Sequence, residues 1–217
     1  LIKNKRYLIL SALLFLICMT LYFPFPDNEM IAADMTFMSF PIHDQNGYHP
    51  LAFFGSAMMI VAIVFLVKSL SKYHIRTVLL TLVVYSFLPI MLITFYQETI
   101  GTGIHAVSYD GQGTCDFEGV TEVELRGKCE LKLENHSGKP VTFDLVFRDT
   151  YYPEFHRKIT SLMNINGPYT ITLEANSEKV IQLNELLNVS NEPEAIANGG
   201  SQYIRITLIE GEKSRKM

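Results

Sequence analysis

Three apolar runs, Tyr7–Phe23, Leu51–Val67 and Thr77–Tyr96, limit how this chain can fold. Each approaches the ~20 residues that a helix needs to cross a hydrocarbon core about 30 Å thick. None of them contains an Asp, Glu, Lys or Arg. Proton relays and ion pumps place such groups inside the membrane, so a transporter is disfavoured.

The charges around the runs are lopsided. Lys3, Lys5 and Arg6 precede the first run, and Lys68, Lys72 and Arg76, with His74, fill the link between the second and third. From Pro24 to Pro50 there is no Lys or Arg, and none from Thr77 through Leu125. Basic residues stay on the cytoplasmic side of a membrane. The N-terminus and the 68–76 link are therefore expected inside, with 24–49 and everything after 97 outside. The first run, followed by Ala32-Ala33, also has the outline of a cleaved signal peptide. Its length, and Pro24 and Pro26 ahead of any cleavage point, favour an uncleaved anchor. Cys18 follows Ile17 rather than a small residue, which argues against a lipoprotein signal.

Composition adds an exclusion. Charged residues make up 18 % of the chain, below the roughly 25 % of soluble domains. Residues 97–217 carry twelve basic and eighteen acidic groups, a net of −6. That balance argues against nucleic acid as a partner.

Within the third run, Thr77, Thr81 and Tyr85 recur one turn apart, with Pro89 beyond. They form either a polar seam along a path or, as read here, side chains bonded to backbone or neighbouring helices. Gly55, Ser56 and Ala57 give the second run a patch for close helix contact. The 24–49 loop holds Met30, Met35, Met38, His43, Asp44 and His49, and His105 follows the third run. Thioether and imidazole groups suit copper. The spacing matches no metal motif, so no metal ligand and no cofactor are assigned. Met35, Phe37, Met38, Phe40 and Tyr48 read instead as an apolar segment at the membrane interface.

After about Gly101 the apolar period becomes two. Val123 and Leu125, Leu131 and Leu133, Val141 to Phe147, Tyr169 to Leu173 and Ile204 to Leu208 alternate with polar neighbours. This is the pattern of half-buried strands. Turn residues at 135–140, 166–168 and 175–178 separate them. Six to eight strands are expected, in a two-sheet sandwich. Residues 151–166 are ambiguous, with Lys158–Ile165 read as a further strand rather than a short helix.

The run Cys129-Glu-Leu-Lys-Leu-Glu-Asn-His-Ser-Gly-Lys-Pro-Val-Thr-Phe resembles paired strands of bacterial immunoglobulin-like or fibronectin-type modules. Tyr169-Thr-Ile-Thr-Leu-Glu-Ala-Asn-Ser-Glu-Lys-Val-Ile-Gln-Leu is similar to a later hairpin of those modules. The resemblance implies an architecture, and no activity follows from it.

Cys115 and Cys129 lie fourteen positions apart. Outside the membrane they can form a disulfide, worth roughly 3 kcal/mol for a loop of that size. Two buried thiols or a redox pair are the alternatives. Asp110-Gly111-Gln112-Gly113 reads as a turn rather than a phosphate cradle, and Glu122 with Glu124 as a solvated strand face. Ser137, Ser161 and Ser201 have no nucleophile elbow, and His136 and His156 are isolated, so no hydrolytic triad is expected. Asn135-His-Ser137 and Asn188-Val-Ser190 match the glycosylation acceptor pattern.

The sequence thus reads as an α + β membrane protein. Three N-terminal transmembrane helices in residues 1–98 are followed by an all-β immunoglobulin-like sandwich in 101–217. The expected role is binding, sensing or assembly of a complex in the cell membrane, not enzymatic, with the lipid bilayer and a protein of the membrane or envelope as partners. Copper handling or transport assistance through the Met/His loop is the alternative.

Overall fold

The computed structural model describes residues 2–21, 23, 25, 27, 35–37, 40–44, 47–48, 50–149, 159–192 and 198–217. The chain divides into two compact units: Leu1–Phe25 with Ala33–Thr94, and Pro26–Ala32 with Phe95–Met217.

The first unit is helical. All three apolar runs form helices: α1 (Lys5–Leu21), α2 (Pro50–Ser69) and α3 (His74–Thr99). Two of them, α2 and α3, are long and apolar enough to cross a membrane, where three were expected. Helix α1 has 17 residues, about 26 Å at 1.5 Å per residue, which falls short of a ~30 Å core. It stops at Leu21, ahead of Pro24 and Pro26, which disfavour further helix.

Small side chains hold α1 against α2. The Ser11 hydroxyl donates to the Ala62 carbonyl at 2.8 Å, and Cys18 Sγ lies 3.8 Å from the Gly55 carbonyl. Ala52 and Ala62 are buried there. Residues this small let backbones approach closely. Tyr85 of α3 is buried against Cys18 and lies 6.0 Å from the Phe15 ring. Thr77 donates to the Tyr73 carbonyl one turn back, the backbone-bonded reading of the polar positions. Between α1 and α2, three short strands pair antiparallel in chain order: β1 (Met35–Phe37), β2 (Phe40–Asp44) and β3 (Gly47–Tyr48).

The second unit holds two antiparallel sheets in a sandwich-like arrangement. One has the order β10-β5-β6-β4, with β9 on the other edge of β6; the second has the order β12-β11-β7-β8. The strands are β4 (Val107–Tyr109), β5 (Thr114–Gly119), β6 (Glu124–Asn135), β7 (Val141–Arg148), β8 (Tyr169–Leu173), β9 (Ser177–Asn188), β10 (Asn198–Gln202), β11 (Arg205–Glu210) and β12 (Lys213–Lys216). In β6 every odd residue from Leu125 to Asn135 is buried, and the charged residues between them are exposed. Phe143, Leu145 and Phe147 of β7 and Ile206 and Leu208 of β11 close the core from the other sheet.

The strand expected over Lys158–Ile165 is not formed in its described part. Thr160–Ile165 is a 3-10 helix. Asp149 accounts for this: its carboxylate accepts the Ile159 and Ser161 N–H groups at 3.0 and 2.9 Å and also bonds the Ser161 hydroxyl. A carboxylate gathering neighbouring N–H groups competes with a strand ladder. The helix then inserts Met163 over Gly127 of β6, where a Cβ would stand 2.6 Å from the Met163 sulfur.

Asn164 completes the segment. Its amide accepts from the Phe147 N–H and donates to the Phe147 carbonyl, both at 2.8 Å, replacing a strand partner beyond the end of β8. Asn164→Ala leaves both backbone groups without that partner. We expect a loss of about 2 kcal/mol, read as a lower denaturant midpoint at unchanged slope.

Candidate functional site

Cys115 on β5 and Cys129 on β6 stand directly opposite each other in register. They form a disulfide, with Cα atoms 4.1 Å apart. Both are buried, at 0 % and 3 % exposure, whereas redox cysteines are partly exposed. The bond is a staple within one sheet.

Of the copper-type residues, Met30, Met38 and His49 lie outside the described residues, and Met35 and His43 are described only as paired backbone of β1 and β2. Among the described residues no group of three His, Cys, Asp or Glu side chains could hold a metal ion. His156 also lies outside them. Asp110–Gly113 is a turn, closed by the Gln112 N–H on Asp110 Oδ1 at 2.9 Å. Glu122 is exposed in the loop between β5 and β6.

The two glycosylation-type asparagines differ completely. Asn188 is exposed. Asn135 is fully buried, and its Nδ2 donates to the Lys139 and Glu174 carbonyls, both at 2.9 Å. Its Oδ1 accepts from the N–H and the hydroxyl of Ser137 at 3.0 and 2.9 Å. One side chain thereby ties the β6–β7 turn to the start of the β8–β9 turn.

His136, solitary in sequence, has company in space. Ser108 pairs with Glu134 across β4 and β6, and the His136 N–H donates to the Ala106 carbonyl at 3.0 Å. The Ser108 hydroxyl lies 2.8 Å from His136 Nε2, and His136 Nδ1 lies 3.8 Å from Glu134 Oε1. Sequence reasoning missed this because 28 positions separate the serine from the histidine. The one available signal was the alternation of Val107 and Tyr109 around Ser108.

A second polar cluster joins the end of α3 to the sheets. Gln97 is buried and donates to the Val107 carbonyl at 3.0 Å. Arg215 on β12, also buried, donates to the Ile104 and Val107 carbonyls at 2.9 and 2.6 Å. Burial pushes its guanidinium down to about 10, with Asp27 and then Tyr96 opposing. The carboxylate of Glu210 accepts from the Ile104 N–H at 3.3 Å.

His105 within this cluster sits below its ordinary 6.5, first through burial, then through the charges of Arg215 and Lys213, with Glu210 and Asp27 opposing. An unfolded chain takes up this proton at about pH 6.5, and the folded one only at lower pH. Stability therefore falls as pH drops below about 6.5. We expect melting temperatures at pH 7 and pH 5 to differ less in His105→Asn than in the parent.

An open depression of about 390 Å³ lies on the β5–β10 pair, lined by Thr114, Asp116, Gly200, Ser201 and Gln202. Gly200 keeps it open, since a Cβ there would come within 2.8 Å of Asp116 Oδ1. Hydroxyls, an amide and a carboxylate make it a hydrogen-bonding surface without a reactive centre. Comparison of the chain with protein-family models, curated proteins and solved structures finds no match.

Proposed function

We propose that this is a multi-pass protein of the cell membrane that presents an immunoglobulin-like sandwich on the extracytoplasmic side. Its role in this reading is binding, sensing or assembly of a membrane complex. The one-sided Lys and Arg residues support the orientation, and α1 serves as a third, short anchor.

The observation that carries the reading is α3. It is a single unbroken helix of 26 residues, and 6 % of it is buried, against 39 % of the α2 window. Leu80, Phe87 and Met91 are each at least 60 % exposed. Lipid or another membrane protein must cover such a surface. The last turn of α3 belongs to the sandwich unit, fixed there by buried Gln97. The polar depression beside β10 and the exposed loops supply the binding surface.

The test is crosslinking in intact membranes, followed by purification in mild detergent. A defined companion protein, lost when Leu80 and Phe87 are replaced by Ala, is the expected result. A chain recovered only as a monomer under both conditions contradicts an assembly role.

A further inference from the structure

We propose that Ser108 is an activated nucleophile, with His136 as its base and Glu134 as the positioning carboxylate, reacting with uncharged ester-type acyl donors. This goes beyond the binding role above and does not depend on it.

The argument begins with the proton on His136. Glu134 lies 3.8 Å from Nδ1, beyond hydrogen-bond reach, and its carboxylate charge favours the tautomer carrying the proton there. Nε2 then presents its lone pair to the Ser108 hydroxyl, 2.8 Å away. A nucleophile in contact with a base, itself oriented by a third group, is the arrangement that activates serine. Strands hold two of the three. Ser108 and Glu134 are paired across β4 and β6, and His136 is pinned by its backbone to Ala106. Sites built on strands keep their geometry better than sites on loops.

The surroundings select the substrate class. Glu178, opposite Glu134 across β6 and β9, is ion-paired with Lys132 at 2.8 Å. The charges beside the group thus largely cancel, which gives a charged donor no anchor and suits a neutral one. Glu134 is half exposed and the His136 side chain 17 % exposed, so the group can be reached from outside. With an ester, the Ser108 Oγ–carbonyl bond forms and the ester C–O bond breaks. The hydroxyl proton passes to His136 Nε2 and on to the departing alkoxide. Water then cleaves the acyl-serine to the carboxylic acid and restores the hydroxyl.

The test uses the full chain in detergent and an uncharged alkyl fluorophosphonate. Here the Oγ–P bond forms, P–F breaks, fluoride leaves and His136 takes the proton. Mass spectrometry should place the adduct on Ser108, with none on Ser137 or Ser201. His136→Gln should slow labelling about 100-fold, the lower end of what a positioned base contributes. Glu134→Gln should slow it less and displace its pH profile to lower pH, a readout that a structural role would not move. Circular dichroism melts confirm that each variant folds. No adduct at Ser108, an adduct equally on Ser137, or labelling of a folded His136→Gln at the parent rate would each overturn the proposal.

Discussion

Asn135→Asp is expected to cost the sandwich about 4 kcal/mol or more at neutral pH, enough to unfold much of it, because a buried carboxylate replaces a donating amide. The Nδ2 hydrogens of Asn135 meet the carbonyls of Lys139 and Glu174 at 2.9 Å, with Leu173 O at 3.5 Å. A charged oxygen there would face other oxygens at full burial. Asn135→Ala is expected to cost somewhat less, about 3 kcal/mol, from polar groups left without partners. The two variants separate in acid. A protonated Asp can donate again, so Asn135→Asp should recover part of its loss as pH falls, and Asn135→Ala should not. Thermal melts at pH 7 and pH 4.5 make the comparison.

Removing the disulfide should have the second largest effect. Cys115→Ala with Cys129→Ala is expected to lower stability by about 3 kcal/mol, the loop-closure value for a bridge spanning about 15 residues. The half-cystines lie opposite each other within one sheet. The β5–β6 register is also held by the ladder from Thr114↔Glu130 to Gly119↔Leu125. The fold should therefore persist, with a lower midpoint and no change in far-ultraviolet dichroism. Loss of the sheet spectrum would mean that the bridge defines the register rather than reinforcing it.

Physical reasons decide which elements could be read in advance. The three helices were legible because uninterrupted apolar runs leave few alternatives, and β6 and β7 because one face is buried and the other wet. Strands β10 and β12 were not. Asn198-Gly-Gly-Ser-Gln202 and Lys213-Ser-Arg-Lys216 have no apolar alternation and lie at sheet edges, where one neighbour suffices. The 160–165 segment misled because its apolar residues suit a strand, while the deciding partner, Asp149, lies outside the segment itself. The two cysteines could be named as partners, but their bonding distance depended on a register that spacing does not define. The Ser108–His136–Glu134 group was illegible because only the pairing of β4 with β6 brings it together.

The account rests on the sandwich facing the outside of the cell. The most direct test is modification of intact cells with a membrane-impermeant amine reagent, followed by mass spectrometry of this chain. Lys128, Lys132 and Lys179 are exposed on the sandwich, and Lys68 and Lys72 are exposed around the α2–α3 link. The predicted result is modification of the first three, with the last two protected until the membrane is permeabilised. Modification of Lys68 and Lys72 in intact cells, with Lys128, Lys132 and Lys179 protected, contradicts it.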